Sequence, residues 1–241
     1  MRTAAVIQAR VGSTRLPRKV LRPLGDRPVL AWVIEAARAS HACDDVIVAT
    51  TTADDDDEVA ALAAQYQARS VRGPVDDVLT RYLMAIDATG ADVVVRLTAD
   101  CPLLDPSLIA MCVDAFDPAA LDYLSTNHPR SVPHGLDVEV ASATALRAAA
   151  AVARDADRVH VTSYLYTHPD EFRIAGVAVT PPATEFRLTL DEPDDGLLLD
   201  AVVAELGSRA SSWREVVALL RARPDLVALN AHVRQKELDE G

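Results

Sequence analysis

Two five-residue runs, Val46-Ile47-Val48-Ala49-Thr50 and Val93-Val94-Val95-Arg96-Leu97, are apolar almost without a break, and that leaves few architectures open. A strand with one wet face alternates apolar and polar residues. A strand without that alternation must be covered on both faces, as in the middle of a parallel sheet. Both runs lie where strand-like segments (4–7, 46–50, 93–97) alternate with helical patterns (29–38, 58–67, 78–88, 108–116). Repeated strand–helix–strand order builds parallel βαβ units, so the expectation is an α/β fold: a mostly parallel central sheet with helices on both faces.

Beyond residue 116 the alternation lapses. Residues 123–126, 136–140 and 173–179 read as strands and 143–154 as an alanine-rich helix. We read 117–182 as a small inserted lobe carrying acceptor-binding and dimerisation surface. Residues 186–190 then resume the core sheet, 196–206 and 213–221 form amphipathic helices, and the chain closes on a charged run at 234–240. With 241 residues, half of them hydrophobic, the chain supports one large core. The expected plan is a single domain: core 1–116 and 183–225, lobe 117–182, helical tail 226–241.

Charge narrows the class of partner. The chain carries 36 Asp and Glu against 24 Lys and Arg, a formal net charge of −12, which opposes nucleic acid over any broad surface. No apolar run approaches the about 20 residues of a membrane span, and the first residues carry no signal-peptide core, so the expected location is the cytosol. Cys43, Cys101 and Cys112 have neither disulfide-framework nor zinc-site spacing and read as small buried side chains.

Against this acidic background, Arg10, Arg15, Arg18, Lys19, Arg22 and Arg27 place six cations within 18 residues. They directly follow the first strand, where Gly12, Ser13 and Thr14 are small enough for phosphate oxygens to approach backbone N–H groups. The spacing is not Gly-x-x-x-x-Gly-Lys-Ser/Thr, so P-loop chemistry is disfavoured. The pattern marks a triphosphate site in which Arg15 and Lys19 supply charge. Two aspartates complete it. Asp100, in Thr98-Ala99-Asp100-Cys101-Pro102, and Asp191, in Thr189-Leu190-Asp191-Glu192-Pro193, each follow a strand-like run and so belong at the carboxyl edge of the sheet, where α/β folds bind ligands. One or two carboxylates beside phosphate oxygens suit Mg²⁺. Asp105 and Asp194 fit helix capping better. The acids at 54–57 read as a solvated run complementing a helix dipole. Asp137 and Glu139, on one face of an expected strand, and His160 are acceptor-side candidates; Arg187 either reaches phosphate or pairs with an acid.

These residues resemble a known family. The match runs in order through Gln8-Ala9-Arg10 to Leu21, residues 46–51, Arg72-Gly73 with Asp76-Asp77-Val78-Leu79-x-Arg81-Tyr82, residues 98–103, His134-Gly135-Leu136-Asp137-Val138-Glu139-Val140, Arg158-Val159-His160-Val161-Thr162 and residues 186–195. The chain is similar to the cytidylyltransferases related to CMP-3-deoxy-manno-octulosonate synthetase and acylneuraminate cytidylyltransferase, in particular the spore coat polysaccharide biosynthesis protein F branch. The resemblance implies a nucleotide-diphospho-sugar-transferase-like fold, CTP as donor, Mg²⁺ as cofactor, a small-molecule acceptor (a sugar acid, sugar or phosphonate) and a homodimer. It implies nucleotide contacts through Gln8, Ala9, Arg10, Gly12, Ser13, Thr14, Arg15, Lys19, Arg72, Gly73, Asp77 and Asp100. Arg10 and the 72–77 loop would frame the base, Arg15 and Lys19 would act in catalysis, and Asp100 and Asp191 would hold metal. Two positions depart from the family pattern: Arg18 and Ala99 stand where glycine is usual, which requires that Ala99 not need a positive φ. A glycosyltransferase on the same fold would hold metal through a local Asp-x-Asp, and Thr98-Ala99-Asp100 lacks the first acid. A non-catalytic nucleotide-binding subunit is the other alternative, disfavoured because every expected ligand is intact.

Overall fold

A computed structural model describes residues 1–234. The strands are β1 (Thr3–Gln8), β2 (Pro23–Leu24), β3 (Arg27–Pro28), β4 (Asp45–Thr51), β5 (Arg69–Gly73), β6 (Val93–Thr98), β7 (Tyr123–Ser125), β8 (Glu139–Ser142) and β9 (Ile174–Gly176). The helices are α1 (Val29–Ala39), α2 (Asp57–Gln65), α3 (Val78–Thr89), α4 (Pro106–Ala115), α5 (Ala143–Val152), α6 (Ala156–His160), α7 (Ser163–Thr167), α8 (Pro193–Leu206), α9 (Trp213–Ala222) and α10 (Pro224–Val227). Seven strands form one sheet in the order β5-β4-β1-β6-β8-β7-β9, while β2 and β3 make a separate two-stranded ribbon. Residues 235–240 of the charged run, and the end of the expected tail, lie outside the described residues.

β1 pairs in parallel with β4 and β6, with Ile7 opposite both Val48 and Leu97. Successive residues send side chains to opposite faces. Ile7, Val48, Val95 and Leu97 enter one core with Leu30, Val33, Leu108 and Leu198. Val6, Ile47, Ala49 and Val94 enter a second with Leu79, Tyr82, Leu146 and Leu165. The unbroken apolar runs thus serve two cores at once. α3 crosses under this second face, and the Tyr82 hydroxyl donates to the Val6 carbonyl at 3.0 Å. Tyr82, Trp32 and Trp213 are all buried packing residues.

The 117–182 stretch does not stand apart as a lobe at the level of the sheet. β8 joins the edge of β6 antiparallel, β7 pairs antiparallel with β8, and β9 follows parallel to β7. α5 and α6 pack on α3. The strand expected at 136–140 begins only at Glu139, because Gly135 turns the chain at φ +94°. Any side chain there would press on Leu188, whose carbonyl carbon lies 2.4 Å from the position of an added β-carbon. Residues 186–190 are extended and buried but form no strand of the sheet. They bind the His134 backbone on both sides, His134 N–H to Phe186 O at 3.1 Å and Leu188 N–H to His134 O at 2.6 Å, and Leu190 N–H donates to Asp100 O at 2.8 Å. That last bond joins the two segments that carry the expected metal aspartates.

The acidic run at 54–57 is not wholly solvated. Asp54, Asp55 and Asp57 are exposed, whereas Asp56 is 2% exposed. Its Oδ1 accepts the Val11 N–H at 2.8 Å, and its other oxygen accepts the Thr51 hydroxyl. Asp56 therefore fixes the entry to the cationic loop after β1. Asp56→Ala leaves the buried Val11 amide unpaired and should lower unfolding stability by about 2 kcal/mol, while Asp56→Asn, which keeps an acceptor oxygen, should retain most of it; urea unfolding of both variants measures the difference.

Candidate active site

The carboxyl ends of β1 and β6 open into a cleft of about 300 Å³, lined by Gln8, Ala9, Arg10, Gly12, Ser13, Thr14, Arg15, Lys19, Val20, Val78, Arg81, Thr98, Ala99, Asp100, Val159 and Asp191. The loop after β1 folds back on itself: Ser13 N–H and Arg18 N–H both donate to Val11 O, at 2.9 and 3.0 Å. An added β-carbon at Gly12 would meet no atom of the described residues, which leaves room for a ligand beside the loop. Ala99 is not among the residues with positive φ, so its β-carbon is accommodated without strain. Arg18 does occupy the left-handed region, at φ 60° and ψ 18°, where glycine is the unstrained choice.

At the floor of the cleft Lys19 Nζ donates to Asp100 Oδ2 at 2.7 Å and to Asp191 Oδ1 at 2.8 Å. Arg15 lies 3.3 Å from Asp191 and 3.2 Å from Glu192. Burial works against the Lys19 ammonium, but Asp100 and Asp191 outweigh it and hold the pKa above the ordinary lysine value. Burial likewise opposes ionisation of Asp100, and Lys19 beside it, with a Thr98 hydrogen bond, holds that carboxyl below the usual range. Two carboxylates converging on one cation are a donor set that also suits a divalent ion. Among the described residues no cluster of three or more His, Cys, Asp or Glu encloses a metal, so phosphate oxygens and water would complete the shell.

A second layer fixes Asp191. Arg187 Nη2 donates to Asp191 Oδ2 at 2.8 Å and Arg187 Nε to Asp195 Oδ1 at 2.9 Å, which places Arg187 on acids. Asp195, fully buried, also accepts the Asp191 N–H at 2.9 Å and the Asn230 amide at 2.9 Å. Glu192 and Asp195 together form the capping box of α8, so the cap expected of Asp194 belongs to them; Asp194 faces His232 instead. Asp105 does cap α4. Asp56, Glu192, Asp195 and Asn230 carry no spacing signal of their own, and Arg81 stands in the 76–82 motif without a role assigned to it there; their places emerge only in three dimensions.

Arg72, Gly73 and Asp77, also expected among the nucleotide contacts, are not among the residues that line the cleft. Asp77 caps α3 through Thr80 N–H at 2.9 Å and pairs with Arg158 at 2.7 Å. Arg72 holds the 51–53 turn through the carbonyls of Thr51 and Ala53. Gly73 gives room to Arg81, whose Cγ lies 2.9 Å from where its β-carbon would be. On the acceptor side Asp137 and Glu139 do not share a strand face. Asp137 precedes β8 and pairs with Arg130 at 2.5 Å, while Glu139 is buried against Arg96, the Tyr123 hydroxyl and Thr162. Glu139 is therefore committed inside the protein. His160 ends α6, half-buried.

Two outcomes follow from this geometry. Asp100 gains stability from its depressed pKa at pH values above the ordinary aspartate range, about 4, and loses it as pH falls through the depressed value. Asp100→Asn removes that titration, so its urea midpoint should fall less steeply than wild type below about pH 4. For Arg18, Arg18→Gly relieves the backbone that Arg18→Ala retains while both lose the same Glu58 pairing; the glycine variant should melt higher, by about 3 °C, in a thermal scan.

Comparison with known proteins agrees with this architecture. A family profile described as cytidylyltransferase matches residues 4–197. The spore coat polysaccharide biosynthesis protein SpsF of Bacillus subtilis is 33% identical over 229 residues, 91% of this chain and 94% of that protein. A cytidylyltransferase structure from Leptospira borgpetersenii superposes with a TM-score of 0.91 at 27% identity, covering 98% of this chain and 99% of the other. The fold is also that of a CMP:2-keto-3-deoxy-manno-octonic acid synthetase solved with CTP, at TM-score 0.65 and 16% identity over 85% of this chain and 99% of that one. The chain belongs to the cytidylyltransferase family.

Proposed function

We propose that this protein transfers CMP from CTP to a small acceptor, a sugar acid, sugar or phosphonate, with release of pyrophosphate, in surface polysaccharide or specialised metabolite biosynthesis. The observation that carries the reading is Lys19 held between Asp100 and Asp191 beside the loop of Gly12, Ser13 and Thr14. In solution the enzyme would be a cytosolic homodimer. Among the described residues no helix is long and apolar enough to cross a membrane.

In this reading the acceptor oxygen attacks the α-phosphorus in line and pyrophosphate leaves. Phosphoryl transfer is accelerated chiefly by positioning and by neutralising charge, and the residues here are of that kind. Loop amides and the Ser13 and Thr14 hydroxyls orient the polyphosphate. Lys19 and Arg15 exchange their carboxylate partners for phosphate oxygens and balance the leaving pyrophosphate. Asp100 and Asp191 would hold Mg²⁺, which supplies charge neutralisation at the α-phosphate. Arg187 and Asp195 keep Asp191 oriented throughout.

A screen of four nucleoside triphosphates against an acceptor library, read as pyrophosphate release, tests the proposal: release with CTP and a sugar acid or related acceptor is expected, and CTP binding without turnover across the panel overturns it. Lys19→Ala and Asp100→Asn should each lower turnover about 100-fold while thermal melting changes far less. Wild-type turnover in either variant contradicts the assigned roles.

A further inference from the structure

Arg81 is an anomaly in this fold. It is 2% exposed, and neither its Nε nor its Nη1 has a hydrogen-bond partner among the described residues. Buried guanidinium groups are ordinarily paired, because an unmet charged donor is among the more destabilising things a protein interior can hold. Arg96 on β6 also has an Nε without a partner among the described residues, but it pairs its charge across the strands with Glu139. Arg81 does not. Burial lowers its pKa from the ordinary value, against Tyr82, Asp56 and Asp77, yet an arginine stays charged at neutral pH.

Its position says what it is waiting for. Arg81 stands in the first turns of α3 and lines the nucleotide cleft. Its stem packs against Gly73 at the end of β5. The sheet order β5-β4-β1-β6 sets that end two strands away from β1 and three from β6, whose following residues carry Asp100. The polyphosphate and metal groups are therefore at one end of the cleft and Arg81 at the other. Val78 and the exposed Val159 add apolar surface to the cleft that suits a flat ring, while Arg10, Asp56 and Asp77 act as charges on Arg81.

We propose that Arg81 is a specificity-determining residue that donates to the carbonyl oxygen of the cytosine ring, the nucleotide supplying the acceptor the protein leaves out. The inference rests on the CTP reading above and names a contact within it. A base with no ring carbonyl, such as adenine, leaves the guanidinium unmet, so Arg81 selects by withholding a partner from the wrong base. The free enzyme carries the unpaired charge as a loss of stability that the right nucleotide reverses.

Arg81→Met keeps the stem and removes the donors. Three results are expected: CMP affinity by calorimetry falls about 10- to 100-fold, inorganic pyrophosphate affinity is unchanged, and the ligand-free protein melts about 3 °C higher than wild type. The preference of pyrophosphate release for CTP over ATP should narrow as well. Arg81→Gln, retaining a neutral donor, should bind CMP better than the methionine variant. A lower melting point in both variants assigns Arg81 a structural role and overturns the inference. Equal weakening of CMP and pyrophosphate, or a change confined to the acceptor KM, also overturns it. Wild-type CMP binding in Arg81→Met defeats this inference alone, whereas a wild-type enzyme that binds neither CTP nor CMP defeats the CTP reading with it.

Discussion

One ammonium group, that of Lys19, is shared by two carboxylates that lie 81 and 172 residues further along the chain. Much of the surrounding architecture serves to make that meeting possible. β1 and β6 are neighbours, so the loop after one and Asp100 after the other emerge side by side. Asp191 arrives without a strand of its own, on a segment laid across the His134 backbone and tied to Asp100 by the Leu190 amide. Like charges at such close range would repel in the absence of Lys19, and the ammonium would not tolerate burial without them. Each group keeps the others in place.

Groups that carry charge into a partly closed cleft need support behind them, and here it is continuous. Asn230 fixes Asp195, Asp195 fixes Arg187 and the Asp191 amide, and Arg187 fixes the far oxygen of Asp191. On the other side Asp56 holds the start of the cationic loop through Val11. Removing one partner from such a chain leaves the next charge uncompensated, so its members depend on one another more than on any single pair. Asn230 thereby becomes part of the active-site frame although it does not line the cleft.

What sequence reveals and what it hides divide along physical lines. The βα alternation and the runs at 46–50 and 93–97 disclosed the central strands, because burial on both faces leaves an unmistakable apolar signature. That Arg15, Lys19, Asp100 and Asp191 would meet was legible because each follows a strand-like run toward the carboxyl edge of the sheet. The strands near β7, β8 and β9 were legible within the expected inserted lobe, but their joining the edge of the central sheet was not, since short strands entered by irregular chain carry little periodicity. Asp56 looked like its exposed neighbours, and nothing local tells a buried aspartate from a solvated one in a row of four. The burial of Glu139 was hidden for a related reason: its partners Arg96, Tyr123 and Thr162 come from three separate segments. Arg18 was marked as a departure from glycine, but its left-handed φ required coordinates.

The charge arrangement also constrains how substrates can enter. In the free site Lys19, Arg15 and Arg187 face Asp100, Asp191, Glu192 and Asp195, so the acids hold the cations and slightly exceed them. A triphosphate arriving alone would draw Lys19 away and leave two carboxylates exposed to each other and to the incoming anion. A divalent cation arriving alone would have to displace Lys19 with no phosphate ready to receive it. The favourable exchange would be the joint one, in which the carboxylates trade an ammonium for a metal and the ammonium trades carboxylates for phosphate. A cleft built around such an exchange would favour the metal-loaded triphosphate over either component, a selection separate from the base contact assigned to Arg81.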